Sequence, residues 1–205
     1  MADPNLNTLL KWGVENSNVS EGAEAPKTQL NSEALAALFG GNIKSDAQMM
    51  KDNMEVIKRD ECELEDRITA FDNFEQLIEN LDNANNLESL NLWIPLIAQL
   101  ENKEAELRRY AAWCIGTAVQ NNIKTQEKLL VLGAIPTLVR MSTGSDERKV
   151  KKKAITALSS SVRNFQPALD DALSHVPADF KPTGKLDAND MESVDTLINK
   201  LRESL

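Results

Sequence analysis

The side chains that most often catalyse reactions or bind metals are scarce in this 205-residue chain. It has one histidine, His175, and two cysteines, Cys62 and Cys114. These three residues cannot supply the four ligands of a structural zinc site, and two cysteines cannot make a disulfide framework. No nucleophile motif surrounds His175, and the sequence has no Gly-rich phosphate-binding loop. We therefore expect a protein that is not an enzyme and holds no metal or cofactor.

The composition limits the classes of partner. Asp and Glu number 32 against 23 Lys and Arg, so the formal net charge is −9. Nucleic-acid-binding surfaces are basic, so we expect no nucleic-acid partner. No run approaches the roughly 20 apolar residues of a membrane span, and residues 1–10 lack the features of a signal peptide. These features favour a cytoplasmic protein without membrane contact.

Apolar residues recur at helical spacing, and aromatic residues make up only 4% of the chain, which predicts an all-α fold. The methionines at one-turn intervals predict a helix over 46–58. Three longer amphipathic patterns follow, over residues 68–81, 107–119 and 150–162. The elements that must position any binding residues are therefore helices.

The later patterns are copies of one unit. Leu107 aligns with Val150 at an offset of 43 residues, and Pro95 and Pro136 are 41 residues apart. This period is typical of HEAT and armadillo repeats. A proline early in a helix and a turn at Gly133 predict a unit of two short helices followed by a long third helix. Such units must stack, so the chain is predicted to be a short armadillo-like helical solenoid.

The predicted organisation has four parts. These are a flexible N-terminal segment with a short amphipathic helix (residues 1–31), a helical leader packing on the solenoid (32–59), the armadillo-like repeats (60–165), and an irregular segment with a C-terminal capping helix (166–205).

One long run has an unusual composition. Residues 70–86 read AFDNFEQLIENLDNANN, and they are followed by Leu92-Trp93 and by IGTAVQNN over residues 115–122. Together with LLKW at residues 9–12 and the segment 35–41, this run resembles the armadillo-type nucleotide-exchange factors of the 70-kDa heat-shock chaperone, in their fungal branch.

The resemblance implies a cytosolic, non-catalytic co-chaperone. In that family the concave face of the solenoid binds the ATPase domain of the chaperone and favours its opened nucleotide cleft, so that ADP leaves faster. By analogy, residues 1–31 engage the substrate-binding side of the chaperone and help to release the client. We expect a monomer in a 1:1 complex.

The resemblance also implies which residues contact the partner, because third helices line the groove in armadillo folds. The non-core candidates on these helices are Asn73, Gln76, Asn80, Trp113, Thr117, Gln120, Thr156 and Arg163. Asn83, Ala84 and Asn85 lie in the matching run, which by composition is a helix end and a connection. Ala84 is small enough to let a partner backbone approach, and Trp113 is either an interface anchor or a residue packed between units.

Two alternatives stay open at this point. Residues 140–165 carry seven positive and two negative charges, which form either a solvated helix face or a patch that steers an acidic partner. Asn121 and Asn164 occupy matching positions, and their amides could clamp a peptide backbone. The chain could therefore be an adaptor that binds an extended peptide in its groove.

Overall fold

The computed structural model describes residues 44–205, so the predictions for residues 1–31 and for a helix starting at Ser32 lie outside the described residues. Residues Asp46–Leu205 form one compact unit. Residues 44–205 form ten α-helices and two 3₁₀ turns and contain no strand, which confirms the all-α prediction. None of these helices is long and apolar enough to cross a membrane.

The helices follow the order expected for a solenoid. They are α1 (Asp46–Lys58), α2 (Leu64–Ile78), α3 (Leu81–Asn86), α4 (Trp93–Ala98), α5 (Ala105–Val119), α6 (Ile123–Val131), α7 (Ile135–Thr143), α8 (Arg148–Val162), α9 (Gln166–His175) and α10 (Met191–Glu203). Two short helices precede each of the long helices α5 and α8, so the predicted short–short–long unit occurs twice.

The long helices α2, α5 and α8 form the centre of the stack, with α5 packed against both of the others. Their buried apolar side chains recur every three or four residues, including Phe71, Phe74 and Ile78 on α2, Leu107, Ala111 and Ile115 on α5, and Val150, Ala154 and Leu158 on α8. Removing these stripes from water stabilises the stack, which no single unit could do alone.

The α5–α8 contact is unusually close. A methyl group added at Gly116 would lie 3.1 Å from the Cα atom of Ala157, which is tighter than ordinary packing. Glycine at this position therefore lets the two third helices approach each other closely.

The long helices α2, α5 and α8 are here called the third helices. Each has a basic residue at its fourth position, namely Arg67, Arg108 and Lys151. Arg67 is 4% exposed and donates hydrogen bonds to the Ile57 carbonyl (2.9 Å) and to the amide oxygen of Gln99 (3.4 Å). This cation joins α1, α2 and the turn that precedes α5.

Arg108 uses its guanidinium more fully. It forms a bidentate ion pair with Asp146, and its Nη1 donates to the carbonyls of Asn102 (2.8 Å) and Lys103 (2.9 Å). The side chains of Arg108 and Asp146 are 19% and 14% exposed. The pair therefore ties the start of one third helix to the loop before the next.

The corners between helices require unusual backbone angles. Gly133, between α6 and α7, has φ = 70°, as the predicted sharp turn requires, and Pro136 is the second residue of α7. Asn121 (φ = 52°) and Asn164 (φ = 58°) follow α5 and α8 and also adopt the left-handed conformation. Asparagine tolerates this region better than most residues, so the backbone alone explains why the two asparagines recur 43 residues apart.

Two sequence expectations are wrong in detail. The connection expected at residues 82–86 is the short helix α3, because the Asn80 side chain accepts hydrogen bonds from the backbone N–H groups of Asp82 (2.9 Å) and Asn83 (3.4 Å) and so caps a new helix. The preceding long helix ends at Ile78, and Leu81 is 57% exposed.

The segment after Asn164 is also more regular than expected. Helix α9 begins at Gln166, which is 43 residues after the start of α6, and it buries Ala168, Leu169 and Ala172. The repeat pattern therefore continues for one further helix. The amphipathic helix predicted at the C-terminal end is α10, which packs against α8 and caps the stack.

Candidate partner-binding face

The exposed side of the third helices carries two adjoining hollows. The larger, here called the acidic hollow, has a volume of about 420 Å³ and is lined by Glu75, Glu79, Trp113, Thr117, Gln120 and Asn121. The smaller has about 110 Å³ and lies between α5 and α8, lined in part by Trp113, Gly116, Thr117, Lys153, Thr156 and Ser160. Trp113, Thr117 and Gln120 line both, so the face is one continuous surface across the three third helices.

Trp113 stands where the two hollows meet. The Lys153 ammonium lies 3.7 Å from the centre of the indole ring system, which is a cation–π contact. Two further aromatic rings lie nearby, since the Tyr110 ring centroid is 5.7 Å from that of Trp113 and 5.9 Å from that of Phe71. The tryptophan is therefore held by its neighbours and half-buried, with part of its surface available to a partner.

Glu75 is the most unusual charged residue of this face. It is 4% exposed, and the Thr117 hydroxyl donates a 2.6 Å hydrogen bond to its Oε1. Burial raises the pKa of the Glu75 carboxyl, and Glu79 adds to the rise, while the Thr117 hydrogen bond and the Lys153 charge oppose it. An ionised Glu75 is therefore less stable here than in water.

The charged form of Lys153 is also disfavoured by its surroundings. Burial, followed by repulsion from Arg109, lowers the pKa of the Lys153 ammonium, and attraction by Glu75 opposes this effect. A carboxylate and an ammonium thus face the same surface without forming a direct ion pair within 4 Å in the part of the chain that the structure describes. Both charges are incompletely compensated.

Several predicted contact residues meet at this face. Trp113, Thr117, Gln120 and Thr156 line the hollows, as their positions on third helices led us to expect. Asn73 and Gln76 are exposed on α2, where the Gln76 amide donates to Asp72 (3.1 Å). The location of these residues is compatible with partner binding, which remains a prediction.

Other predicted residues have structural roles instead. Ala84 is 2% exposed and Asn83 is 8% exposed, so neither can meet a partner backbone in this conformation. The Asn83 amide donates to Asp46 (2.8 Å) and to the Leu77 carbonyl (2.9 Å). Their assignment to a contact surface does not fit the structure, because a short helix folds them inward.

Asn80 and Asn85 are likewise engaged. Asn80 caps α3, and the amide oxygen of Asn85 accepts a hydrogen bond from the Asn122 side chain (3.1 Å), which connects α3 with the start of α6. Asn80 is exposed and Asn85 is half-buried, but neither lines either hollow.

Arg163 is directed toward the C-terminal cap. Its guanidinium pairs with Asp195 and donates to the Ser159 hydroxyl (3.0 Å) and to the Met191 sulfur (3.1 Å). The side chain is 24% exposed. Its clearest role in the structure is therefore to attach α10 to the end of α8.

The residues of the basic run at the start of α8 make two kinds of contact. Arg148 and Lys151 donate to backbone carbonyls at the end of the chain, those of Leu205 (2.6 Å) and Ser204 (3.3 Å). Lys153 instead points to Trp113. Neither sequence interpretation, solvated face or steering patch, describes these contacts fully.

Sequence reasoning did not single out Glu75 and Glu79, and it noted Lys153 only as part of the basic run of residues 140–165. Glu75 falls between Phe74 and the buried residues that follow it, so a carboxylate interrupts an apolar stripe at that position. That interruption was the available signal, because an unpaired carboxylate is rarely placed among core positions.

His175 and Cys114, the described side chains best suited to act as a base or a nucleophile, form no recognisable catalytic site. The Ser174 hydroxyl and the Asp171 carbonyl both lie 2.9 Å from the same His175 nitrogen, Nδ1, so the histidine does not relay a proton between them. Burial raises the pKa of the Cys114 thiol well above its usual value, which makes it a poor nucleophile. Residues 44–205 contain no group of three or more His, Cys, Asp or Glu arranged to hold a metal ion.

Comparison with known proteins identifies the relatives of this chain. Residues 6–87 match the family profile described as nucleotide exchange factor Fes1, and residues 83–176 match the SIL1/FES1/HPBP1 C-terminal domain. A protein of Gibberella zeae named Hsp70 nucleotide exchange factor FES1 is 53% identical over 100% of this chain and 99% of its own length.

Two further fungal proteins carry the same name. The one from Coccidioides immitis is 46% identical over 98% of both chains. The one from Saccharomyces cerevisiae is 43% identical over 78% of this chain and 57% of its own length. With two consecutive family profiles and full-length relatives of this similarity, the chain belongs to the Fes1 family of nucleotide exchange factors.

Proposed function

We propose that this protein is a nucleotide exchange factor that binds an Hsp70 chaperone and accelerates the release of its ADP. The observation that carries the proposal is the match to relatives of that name along the whole chain. The nucleotide chemistry then belongs to the partner, and this chain acts only by binding.

The physical requirement for such a factor is differential affinity. A protein accelerates ADP release by binding the opened state of the nucleotide cleft more tightly than the closed, ADP-loaded state. Each tenfold preference for the opened state corresponds to about 1.4 kcal/mol. ADP in turn weakens the binding of this protein to the chaperone by the same ratio, because the coupling between the two ligands is reciprocal.

The surface that we assign to this task is the face of α2, α5 and α8 described above, and its proposed target is the ATPase domain of the chaperone. It combines a half-buried tryptophan, hydrogen-bonding side chains and charges that the fold leaves incompletely compensated. Tryptophans in this setting are frequent binding anchors. We further propose a 1:1 complex in the cytoplasm, with residues 1–31 assisting release of the client.

The alternative function, binding of an extended peptide, has lost its main support. It rested on Asn121 and Asn164, and both have the positive φ angles that turns at the ends of α5 and α8 require. A repeated asparagine is therefore explained without a peptide ligand.

The direct test is stopped-flow release of a fluorescent ADP from a cytosolic fungal Hsp70, with increasing amounts of this protein. We expect a dose-dependent acceleration that saturates at one protein per chaperone. If a folded, helical protein leaves the release rate unchanged at saturating concentration, the proposed function is wrong.

A matched pair of variants locates the surface. Thr156 and Thr196 are both exposed, and each hydroxyl donates within its own helix, to Lys152 and Ser193. Thr156→Arg adds bulk and charge to the candidate face, whereas Thr196→Arg places the same group on α10. We expect the first variant to lose most of the acceleration and the second to keep it. Equal activity of the two variants would place the contact elsewhere.

A further inference from the structure

The residues that line the acidic hollow suit it to bind a positively charged group. Glu75 lies in the last turn of α2 and Glu79 directly follows that helix, while the opposite wall consists of Trp113 and Thr117, with the amides of Gln120 and Asn121 at its end. Two carboxylates beside an aromatic ring form an environment that suits a cation. The basic residue in contact with that ring, Lys153, lines the smaller hollow and not this one.

Glu75 gives the second, independent argument. It is more than nine-tenths buried, yet within the described residues only Thr117 donates a hydrogen bond to it, through Oε1. Its other oxygen, Oε2, receives none from residues 44–205. A buried carboxylate with an unused acceptor is unfavourable in the free protein, and a donor that arrives with a partner would remove that cost.

The Trp113 ring shows that this surface accepts cations. Lys153 already lies 3.7 Å from the ring centre, on the side of α8. Because Trp113 lines both hollows, it separates the internal ammonium from the acidic hollow. The protein thus provides its own cation in one hollow, whereas no Lys or Arg among the described residues lines the neighbouring acidic one, and Lys153 attracts Glu75 only from the adjoining hollow.

We infer that the acidic hollow receives the guanidinium of an arginine from the Hsp70 ATPase domain, stacked on Trp113 and hydrogen-bonded to Glu75 and Glu79. Arginine fits better than lysine, because its planar fork can donate to two carboxylate oxygens while its face stacks on an aromatic ring. This inference rests on the proposed function and adds to it the chemical group that is recognised.

The chain offers a matched control for removing the negative charge. Glu65 is exposed near the start of α2, ten residues before Glu75, which corresponds to about 15 Å along the helix. Its side chain lines neither hollow. Glu65→Gln therefore makes the same chemical change on the same helix, outside the acidic hollow.

The test uses the full chain and an Hsp70 ATPase domain labelled with ¹⁵N-arginine. We expect the Nε–H resonance of one arginine to shift when wild-type protein or the Glu65→Gln variant is added, and not to shift with the Glu75→Gln/Glu79→Gln double variant. The double variant should bind at least tenfold more weakly by calorimetry, whereas Glu65→Gln should change affinity less than twofold. Circular dichroism and thermal melting confirm that each variant is folded.

The outcomes separate this inference from the proposed function. If the wild type accelerates ADP release but the double variant binds equally well, the arginine site is wrong and the exchange function stands. If the double variant binds weakly but no arginine resonance responds to the wild type, the cation is not a guanidinium and the inference is overturned. If the wild type neither binds nor accelerates release, the proposed function itself fails.

Discussion

The third helices use charged residues in two opposite ways. At the N-terminal ends, Arg67 and Arg108 are surrounded by acceptors, and their hydrogen bonds go to carbonyls and side chains of adjacent elements. At the candidate binding face, Glu75 is buried and Lys153 is half-buried, and both charges are incompletely compensated. The same helices therefore join the units through their first-turn arginines and offer incompletely compensated charges at the candidate face.

This difference separates residues kept for stability from residues available for binding. A buried charge with all its partners present stabilises one arrangement of the units, and removing a partner is costly. A buried charge without partners lowers stability and is retained where another molecule completes it. Two experiments test this contrast in the isolated protein, and a third tests the turn beside the acidic hollow.

The largest effect is expected from Arg108→Ala. The change breaks a mostly buried ion pair and leaves Asp146 and two loop carbonyls without their donor. We expect a loss of about 3 kcal/mol in the free energy of unfolding, which corresponds to a fall in Tm of about 6–12 °C for a domain of this size.

The matched control is Arg202→Ala, because Arg202 is exposed on α10 and, among residues 44–205, its side chain donates only a 3.4 Å hydrogen bond to the Asn199 amide oxygen. It should shift the Tm by less than about 2 °C. If both variants melt alike, the N-terminal ends of the third helices do not hold the units together as the contrast requires.

A smaller effect of opposite sign is expected from Glu75→Gln. Because burial raises the pKa of Glu75 in the folded protein, its ionised form lowers stability at neutral pH, and the neutral amide avoids this penalty. The variant should melt slightly above the wild type at pH 7. As the pH falls below the raised pKa, the folded wild type takes up a proton and the difference should shrink, until it vanishes below the ordinary pKa of a glutamate carboxyl.

The charged groups around Glu75 are Asp72, Glu79 and Lys153, and they are unchanged in this variant, so the difference between the two melting curves isolates Glu75. Thermal melting at several pH values from 7 down to about 4, which is below the ordinary pKa of a glutamate carboxyl, measures it. A Glu75→Gln protein that is clearly less stable than the wild type at pH 7 contradicts the view that this charge is uncompensated.

The smallest effect is expected from Asn121→Gly. Glycine adopts the left-handed conformation without a steric penalty, so the variant should keep its Tm or gain up to about 1 kcal/mol of stability. ADP release from the chaperone should be nearly as fast as with the wild type. A large loss of binding in a stable variant would show that the Asn121 amide, which lines the acidic hollow, contacts the partner and is not kept for the turn alone.

Regular features of the fold could be predicted from the sequence. The bounds of α1 agree with the prediction, and the 43-residue offset correctly indicated two short helices before each long one. Periodicity reports which positions of a long helix are buried, and it therefore also placed Trp113 and Thr117 off the core stripe.

Features that depend on tertiary contacts were missed. Helix α9 is short, and its buried residues include the two alanines Ala168 and Ala172, so its pattern is weak without the stack that covers it. Ala84 looked accessible because its polar neighbours suggested a turn, but capping by Asn80 converts that segment into a helix that faces inward. No sequence pattern shows that Glu75 lies opposite Thr117, 42 residues away.

The close approach at Gly116 has a mechanical consequence. Since the α5 backbone reaches almost to the Ala157 backbone, the absent methyl group sets the distance between two neighbouring third helices. Larger residues at this position would act as a wedge and change the angle at which the last unit follows the previous one. The absence of one side-chain carbon at Gly116 therefore sets the separation between Trp113 on α5 and Thr156 on α8. That separation determines the width of the smaller hollow that is offered to a partner.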